Sequence, residues 1–166
     1  ATFQQTVPAV ERNLGAAGIF NTGTNLVTQL LKQNCKIPER VDKYGAKASK
    51  EDHGIRWQVS WGKHTPAHFK WEHATDHAKT IDKNSILPVV TIRNPYNWLS
   101  SMCRNGYTAK WNHGPRKCPN LLKKRHDGIV ERKSIPNPVN VTYAEQRTSS
   151  HQSLAHLWND WNDEYI

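Results

Sequence analysis

Cysteine is scarce and odd in number, with only Cys35, Cys103 and Cys118. Three cysteines in 166 residues do not describe a disulfide scaffold. Cys103 and Cys118 flank a loop rich in Gly, Pro, His and Asn. One bridge there, or none, is compatible with the spacing, and a bridge would stabilise by about 3 kcal/mol through loop closure. Long apolar runs are also missing. Near the middle of the chain, the apolar uncharged stretch 84–92 is short. A membrane helix takes about 20 apolar residues, so no span is expected. Residues 1–13 are polar and hold no apolar signal core, so no secretory signal is expected there. The chain opens on Ala1 instead of Met, as a processed or trimmed product would. Repeats and low-complexity tracts are absent.

Acidic residues are in the minority, 14 against 23 Lys and Arg, which leaves a net charge of +9. That surplus calls for an anionic partner: nucleic acid, a nucleotide, a sulfated or acidic glycan, or an anionic membrane surface. No long basic run exists. Short clusters occur at Lys123-Lys124-Arg125 and Arg132-Lys133, which favours a folded pocket over a nucleic-acid tail. Hydrophobic residues make up 36%, below the roughly 45–50% of ordinary domains, so the core is expected to be lean. The length suits one domain over 1–166: a motif-bearing core at 15–104, a loop-rich insertion or lid at 105–148, and a C-terminal helix at 149–166.

Along the chain, 15–20 reads as a short buried strand and Asn21-Thr22-Gly23-Thr24 as a turn. Residues 25–34 read as a helix on the spacing of Leu26, Val27, Leu30 and Leu31. Residues 36–50 read as loop, with Pro38 and Gly45 as breakers. Ile55, Trp57, Val59 and Trp61 alternate as a strand would. Residues 67–81 are rich in His and Lys and expected to be partly helical. The nearly continuous apolar run 86–92 reads as a central strand of a parallel sheet. Asn94 is then a natural N-cap and Pro95 a first helical residue, with helix over 96–104. Residues 105–117 read as loop and 119–138 as an insertion. A final helix is expected over 149–165, with Leu154, Leu157, Trp158 and Trp161 on one stripe. Strand, turn and helix occur twice, so the expected fold is α/β, a mainly parallel sheet flanked by helices. Both turns lie at strand carboxyl ends, where ligands of such sheets bind.

The first turn has the glycine spacing of a phosphate loop, from Gly18 to Gly23. Amides at the start of the next helix would face an anion, and Thr22 and Thr24 add hydroxyls. Thr24 and Asn25 stand where a Walker loop carries Lys and Ser/Thr. Hydrolysis of ATP or GTP is therefore disfavoured, while anion binding is not. In the second turn Arg93-Asn94-Pro95 is followed by Ser101. A guanidinium and a hydroxyl eight residues apart suit a phosphate monoester.

Taken together, Asn21-Thr22-Gly23-Thr24, Lys63-His64-Thr65-Pro66 and Arg93-Asn94-Pro95 with Ser101 resemble, in order and placement, the sulfotransferases that use 3′-phosphoadenosine-5′-phosphosulfate (PAPS). That family pairs a Lys/Arg-Ser/Thr-Gly-Thr/Ser loop with a later Arg-Asn/Asp-Pro…Ser segment. Its cytosolic branch carries Lys-Thr-His-x-Pro between them. The resemblance spans roughly 15–104 and implies a P-loop-like sulfotransferase fold. It also implies PAPS as donor, PAP (3′-phosphoadenosine-5′-phosphate) as product and no metal. Amides of Thr22, Gly23 and Thr24, with Asn21 and Asn25 beside them, would hold the 5′-phosphosulfate. Arg93 and Ser101 would hold the 3′-phosphate. His64 would be the base for the acceptor hydroxyl, and a pKa near 6.5 suits that task. Asn21 stands where the family has Lys or Arg, and Lys63 is the first candidate for the missing charge. The family's further C-terminal strand, helix and PAPS-binding segment have no counterpart here, as in a fragment, a compact variant or an inactive relative.

Other readings remain open. His64 with His68, and His73 with His77, have the i, i+4 spacing of zinc ligands, though solvated helix faces fit as well. Glu72 is a second candidate base. Trp57, Trp61, Trp158 and Trp161 have core spacing; Trp98 could also meet adenine and Trp111 an acceptor. A basic module binding nucleic acid or acidic glycan explains the charge but not the two strand-end turns. A P-loop kinase lacks both the lysine and an evident magnesium carboxylate. The acceptor is expected to be a glycan, or a small alcohol or phenol, with nucleic acid less favoured. The sequon Asn140-Val141-Thr142 and the cysteine pair suit the secretory pathway or Golgi lumen, with the cytoplasm as the alternative.

Overall fold

A computed structural model of the chain describes residues 7–72, 81–113, 118, 123–124, 130–131 and 137–166. It is α/β, with a three-stranded parallel sheet and four α-helices among the described residues. Two compact units divide the chain. One holds Ala1–Ile92 with Tyr165, and the other holds Arg93–Glu164 with Ile166. The boundary falls inside the motif-bearing stretch 15–104.

In the first unit, β1 (Asn13–Ala17) lies between β2 (Ile55–Arg56) and β3 (Ile86–Val90), parallel to both. The register pairs Leu14 with Ile55 and runs from Asn13–Ile86 to Ala17–Val90. The central strand is therefore β1, not the apolar run at 86–90, which forms an edge of the described sheet with Leu87 exposed. Its small residues explain the exchange. A Cβ at Gly15 would stand 2.7 Å from the Gln58 carbonyl oxygen, so only a bare backbone admits the segment after β2. That segment leaves the strand after Arg56, and Val59 N–H returns to the Ala16 carbonyl at 3.2 Å. The alternation across 55–61 thus does not make a long strand. Val59 and Trp61 are buried as a turn folds over β1, while Trp57 is exposed.

Helix α1 (Thr24–Asn34) starts directly after the glycine turn. Its buried positions are Thr24 and Thr28, not the leucines: Leu26 is 65% exposed and Leu30 48%. The Thr28 hydroxyl lies 2.9 Å from both the Thr24 and the Trp57 carbonyl oxygens, tying helix to loop. Helix α2 (Pro38–Tyr44) occupies part of the stretch expected to be loop. Pro38 sits at its start and Gly45, at φ 86°, just past its end. The two residues read as breakers are its boundaries. Arg40 on α2 is buried and donates to the carbonyls of Val10 and Asp52. Residues 67–71 form a 3₁₀ turn.

In the second unit, α3 (Pro95–Arg104) begins as expected, with Asn94 Oδ1 accepting from the amides of Tyr96 and Asn97. An antiparallel sheet follows, with β7 between β4 and β8; the strands are β4 (Ala109–Lys110), β5 (Lys123–Lys124), β6 (Val130–Glu131), β7 (Val139–Thr142) and β8 (Thr148–His151), β5 and β6 pairing separately. The last helix, α4 (Leu154–Asp163), starts later than expected, because 148–151 pairs with β7 as a strand and Ser153 caps the helix. Trp98, Met102, Val139, Val141, Leu157 and Trp161 form this unit's core. The Trp158 indole N–H donates to the Arg93 carbonyl at 3.2 Å. Cys103 and Cys118 form a disulfide, with Cα atoms 5.8 Å apart, and Cys35 is a free thiol. No helix is long and apolar enough to cross a membrane among the described residues.

Candidate anion site at the glycine turn

The first unit concentrates its polar chemistry at the carboxyl end of β1. Gly18 leaves the strand with both backbone groups engaged. Its N–H donates to the Lys63 carbonyl at 2.7 Å, and its carbonyl faces His64 Nδ1 at 2.7 Å. A carbonyl only accepts, so Nδ1 carries the ring proton and the lone pair of the neutral ring is on Nε2. A Cβ on Gly18 would fall 2.1 Å from Thr91 Oγ1 and 2.5 Å from Thr22 Oγ1. Those hydroxyls meet at 3.0 Å, and Thr22 donates to the Ile19 carbonyl at 2.7 Å. The glycine at 18 is what lets β1, the turn and the end of β3 close on one another.

The turn then passes through Asn21 at φ 60° and Gly23 at φ 88°. Asparagine tolerates the left-handed region better than a long basic residue does, which accounts for Asn21 where the resembled loop has Lys or Arg. Gly23 is the N-cap of α1 and offers no side-chain cap to its first amides. A Cβ there would meet nothing within 4 Å, so the turn is open on that side of Gly23. Uncapped amides at the start of an 11-residue helix, with the positive end of its dipole, suit an anion.

The cation comes from the loop after β2. Lys63 Nζ donates to Asn25 Oδ1 on the first turn of α1. It also lies 4.4 Å from the centre of the Trp57 ring. Burial lowers the Lys63 pKa, because the charged form loses water. His64 packs on Phe20 at 4.9 Å between ring centres. Its pKa is lowered, first by burial and then by the Lys63 charge, against an upward push from the Gly18 hydrogen bond. Burial thus favours the neutral imidazole. The structure brings Asn21, Thr22, Gly23, Thr24, Asn25, Lys63 and His64 into one unit.

In the second unit, Arg93 Nη1 donates to Ser101 Oγ at 2.9 Å. Arg104 Nη2 reaches the same oxygen at 3.4 Å, so two guanidinium groups converge on one hydroxyl. Ser101 is buried, and so is Trp98 on the same helix. Reading the sequence missed Thr91, Gln58 and Arg104. Thr91 could have been found from its place two residues before Arg93, and Arg104 from its i, i+3 spacing to Ser101.

Among the other candidates, Trp61, Trp98 and Trp161 are fully buried core, Trp158 is half-buried, and Trp57 lies under Lys63 instead of in the core. His73 and His77 lie outside the described residues, as does most of 119–138. No group of three His, Cys, Asp or Glu placed to hold a metal occurs among the described residues. Comparison with protein-family models, curated proteins and solved structures returned no match for this chain.

Proposed function

We propose that this chain is a PAPS-dependent sulfotransferase whose glycine turn holds the phosphosulfate and whose acceptor is a hydroxyl, on a glycan in preference to a small alcohol or phenol. One observation carries the reading. Lys63 reaches the first turn of α1 while the adjacent His64 turns Nδ1 to the Gly18 carbonyl in a buried setting that favours the neutral ring. A donor site needs a cation beside its anion cradle, and an acceptor hydroxyl needs an unprotonated base nearby. Two consecutive residues supply both.

PAPS, when bound, supplies the sulfuryl group and a good leaving phosphate. The chain's own groups do the rest. The amides of Gly23, Thr24 and Asn25 and the Thr22 hydroxyl orient the anion. His64 Nε2 takes the proton of the attacking hydroxyl. The Lys63 ammonium, anchored by Asn25, offsets negative charge as it gathers on the leaving oxygen. Like phosphoryl transfer, the reaction asks mainly for alignment and charge stabilisation. The same reading assigns Arg93 and Ser101 to the 3′-phosphate, and variants test that assignment. The disulfide and the exposed Asn140 of the sequon favour an oxidising secretory compartment.

Calorimetry with PAP tests the binding half. The expected result is micromolar or tighter affinity, lost at least tenfold in Arg93→Ala, since charge-assisted contacts are worth about 1.5–3 kcal/mol. Equal affinity in the two proteins removes Arg93 from the site. Release of PAP from PAPS, with unsulfated chondroitin or 2-naphthol as acceptor, tests the chemistry. His64→Ala should keep PAP affinity and lose turnover. Retained turnover would move the base role to Glu72 or elsewhere.

A further inference from the structure

Outside the glycine turn, the second unit carries a hydrogen-bonded relay that the reading above does not use. Ser149 and His151 are two residues apart on β8 and so share one face of the strand. Ser149 Oγ lies 2.7 Å from His151 Nε2. His151 Nδ1 lies 2.5 Å from Asp160 Oδ2, on the second turn of α4. The short 152–153 connection folds α4 back towards the strand it follows, which brings the carboxylate to the imidazole. The Tyr143 hydroxyl, at the end of β7, lies 3.1 Å from Ser149 Oγ.

The proton directions follow from the chemistry of the partners. A carboxylate only accepts, so His151 Nδ1 carries the ring hydrogen, and in the tautomer with that single ring hydrogen Nε2 accepts from the Ser149 hydroxyl. Tyr143 then donates to Ser149. Burial raises its pKa to about 12, so it keeps its proton at any ordinary pH. In that tautomer all three bonds point one way: tyrosine to serine, serine to histidine, histidine to aspartate. The His151 side chain is 9% exposed and Asp160 51%. Ser149 is half-buried.

We propose that Ser149, His151 and Asp160 form a nucleophilic triad that makes this unit an esterase towards activated carboxylic esters, independent of sulfuryl transfer. The spacing of nucleophile to base and base to orienting carboxylate is that of serine acyl-transfer enzymes. Ser149 Oγ bonds to the ester carbonyl carbon while its proton passes to Nε2. The imidazolium gives that proton to the departing alkoxide as the ester C–O bond breaks, leaving an acyl-serine. Water then attacks the acyl carbon, Nε2 takes its proton, the acyl–Oγ bond breaks, and Oγ recovers the proton as the carboxylic acid leaves. Asp160 holds the ring in the productive tautomer throughout.

A fluorophosphonate probe on the full chain tests the proposal. The expected result is one adduct per molecule, mapped to Ser149 by peptide mass spectrometry, with turnover of 4-nitrophenyl acetate blocked in the labelled protein. His151→Gln should slow labelling at least 100-fold. Asp160→Asn should slow it too while leaving the thermal midpoint near that of the wild type, because Asp160 is half-exposed. The wild-type result requires no variant to fold. No adduct on Ser149, or an unchanged labelling rate in folded His151→Gln, overturns the proposal.

Discussion

Replacing Gly18 with alanine is the sharpest probe of how the turn is built. No backbone penalty is expected, since Gly18 is not among the positive-φ glycines. The whole cost is contact. The new methyl would stand 2.1 Å from Thr91 Oγ1, 2.5 Å from Thr22 Oγ1 and 2.8 Å from Thr24 Cγ2. All three neighbours are held: the Thr22 hydroxyl donates to the Ile19 carbonyl, the Thr91 hydroxyl donates to Thr22 or to the Ala17 carbonyl, and Thr24 is buried. Overpacking and the loss of one part-buried hydrogen bond together cost about 2–4 kcal/mol. In a chain of this length each kcal/mol moves the melting midpoint by about 2–4 °C. Urea titration monitored by tryptophan fluorescence reads the loss. In a Thr91→Ala background the same glycine change should cost less, because the nearest clash has gone. A Gly18→Ala penalty below about 0.5 kcal/mol, or one unchanged by Thr91→Ala, would refute the packing argument.

Three further expectations follow from the structure. His64 is held neutral by burial, so the unfolded chain binds its proton more readily than the folded one. Its contribution to stability is full above about pH 6.5 and drains as pH falls towards the lower folded-state value; His64→Gln should flatten that slope in urea titrations across pH 5–7. Reducing the Cys103–Cys118 bridge should cost the second unit about 3 kcal/mol by the loop-closure argument, read as increased hydrogen exchange in α3 and β4. Asn94→Ala strips the acceptor from two amides at the start of α3 and should cost about 1 kcal/mol, whereas Asn94→Ser should restore most of it in the same urea titration.

The parts of the fold legible in the sequence are those set by local chemistry. Asn94 and Pro95 announce α3, and the helix places Ser101 within reach of Arg93. The glycine turn between β1 and α1 was equally plain. What escaped was set by tertiary context. Helix α2 went unseen because Pro38 and Gly45 punctuate loops and helix ends alike, and only the buried Arg40 decides between them. The alternation at 55–61 was real burial but not a long strand, since β1 pairs with two of its residues and then accepts Val59 from a turn. β8 was invisible because Thr-Ser-Ser-His carries no apolar pattern, and its pairing comes wholly from β7. At the site, Lys63 and His64 were readable as neighbours of a turn. The contact of Lys63 with Asn25, 38 positions earlier, was not.

The central claim is that the amides opening α1 hold the anionic end of a phosphorylated nucleotide. Titrating PAP into the ¹⁵N-labelled chain and following the backbone amide resonances tests it most directly. The account predicts the largest saturable shifts at Gly23, Thr24 and Asn25, abolished or weakened at least tenfold in Lys63→Ala. Saturable binding that leaves those three resonances in place, or no binding by the folded chain, would contradict it.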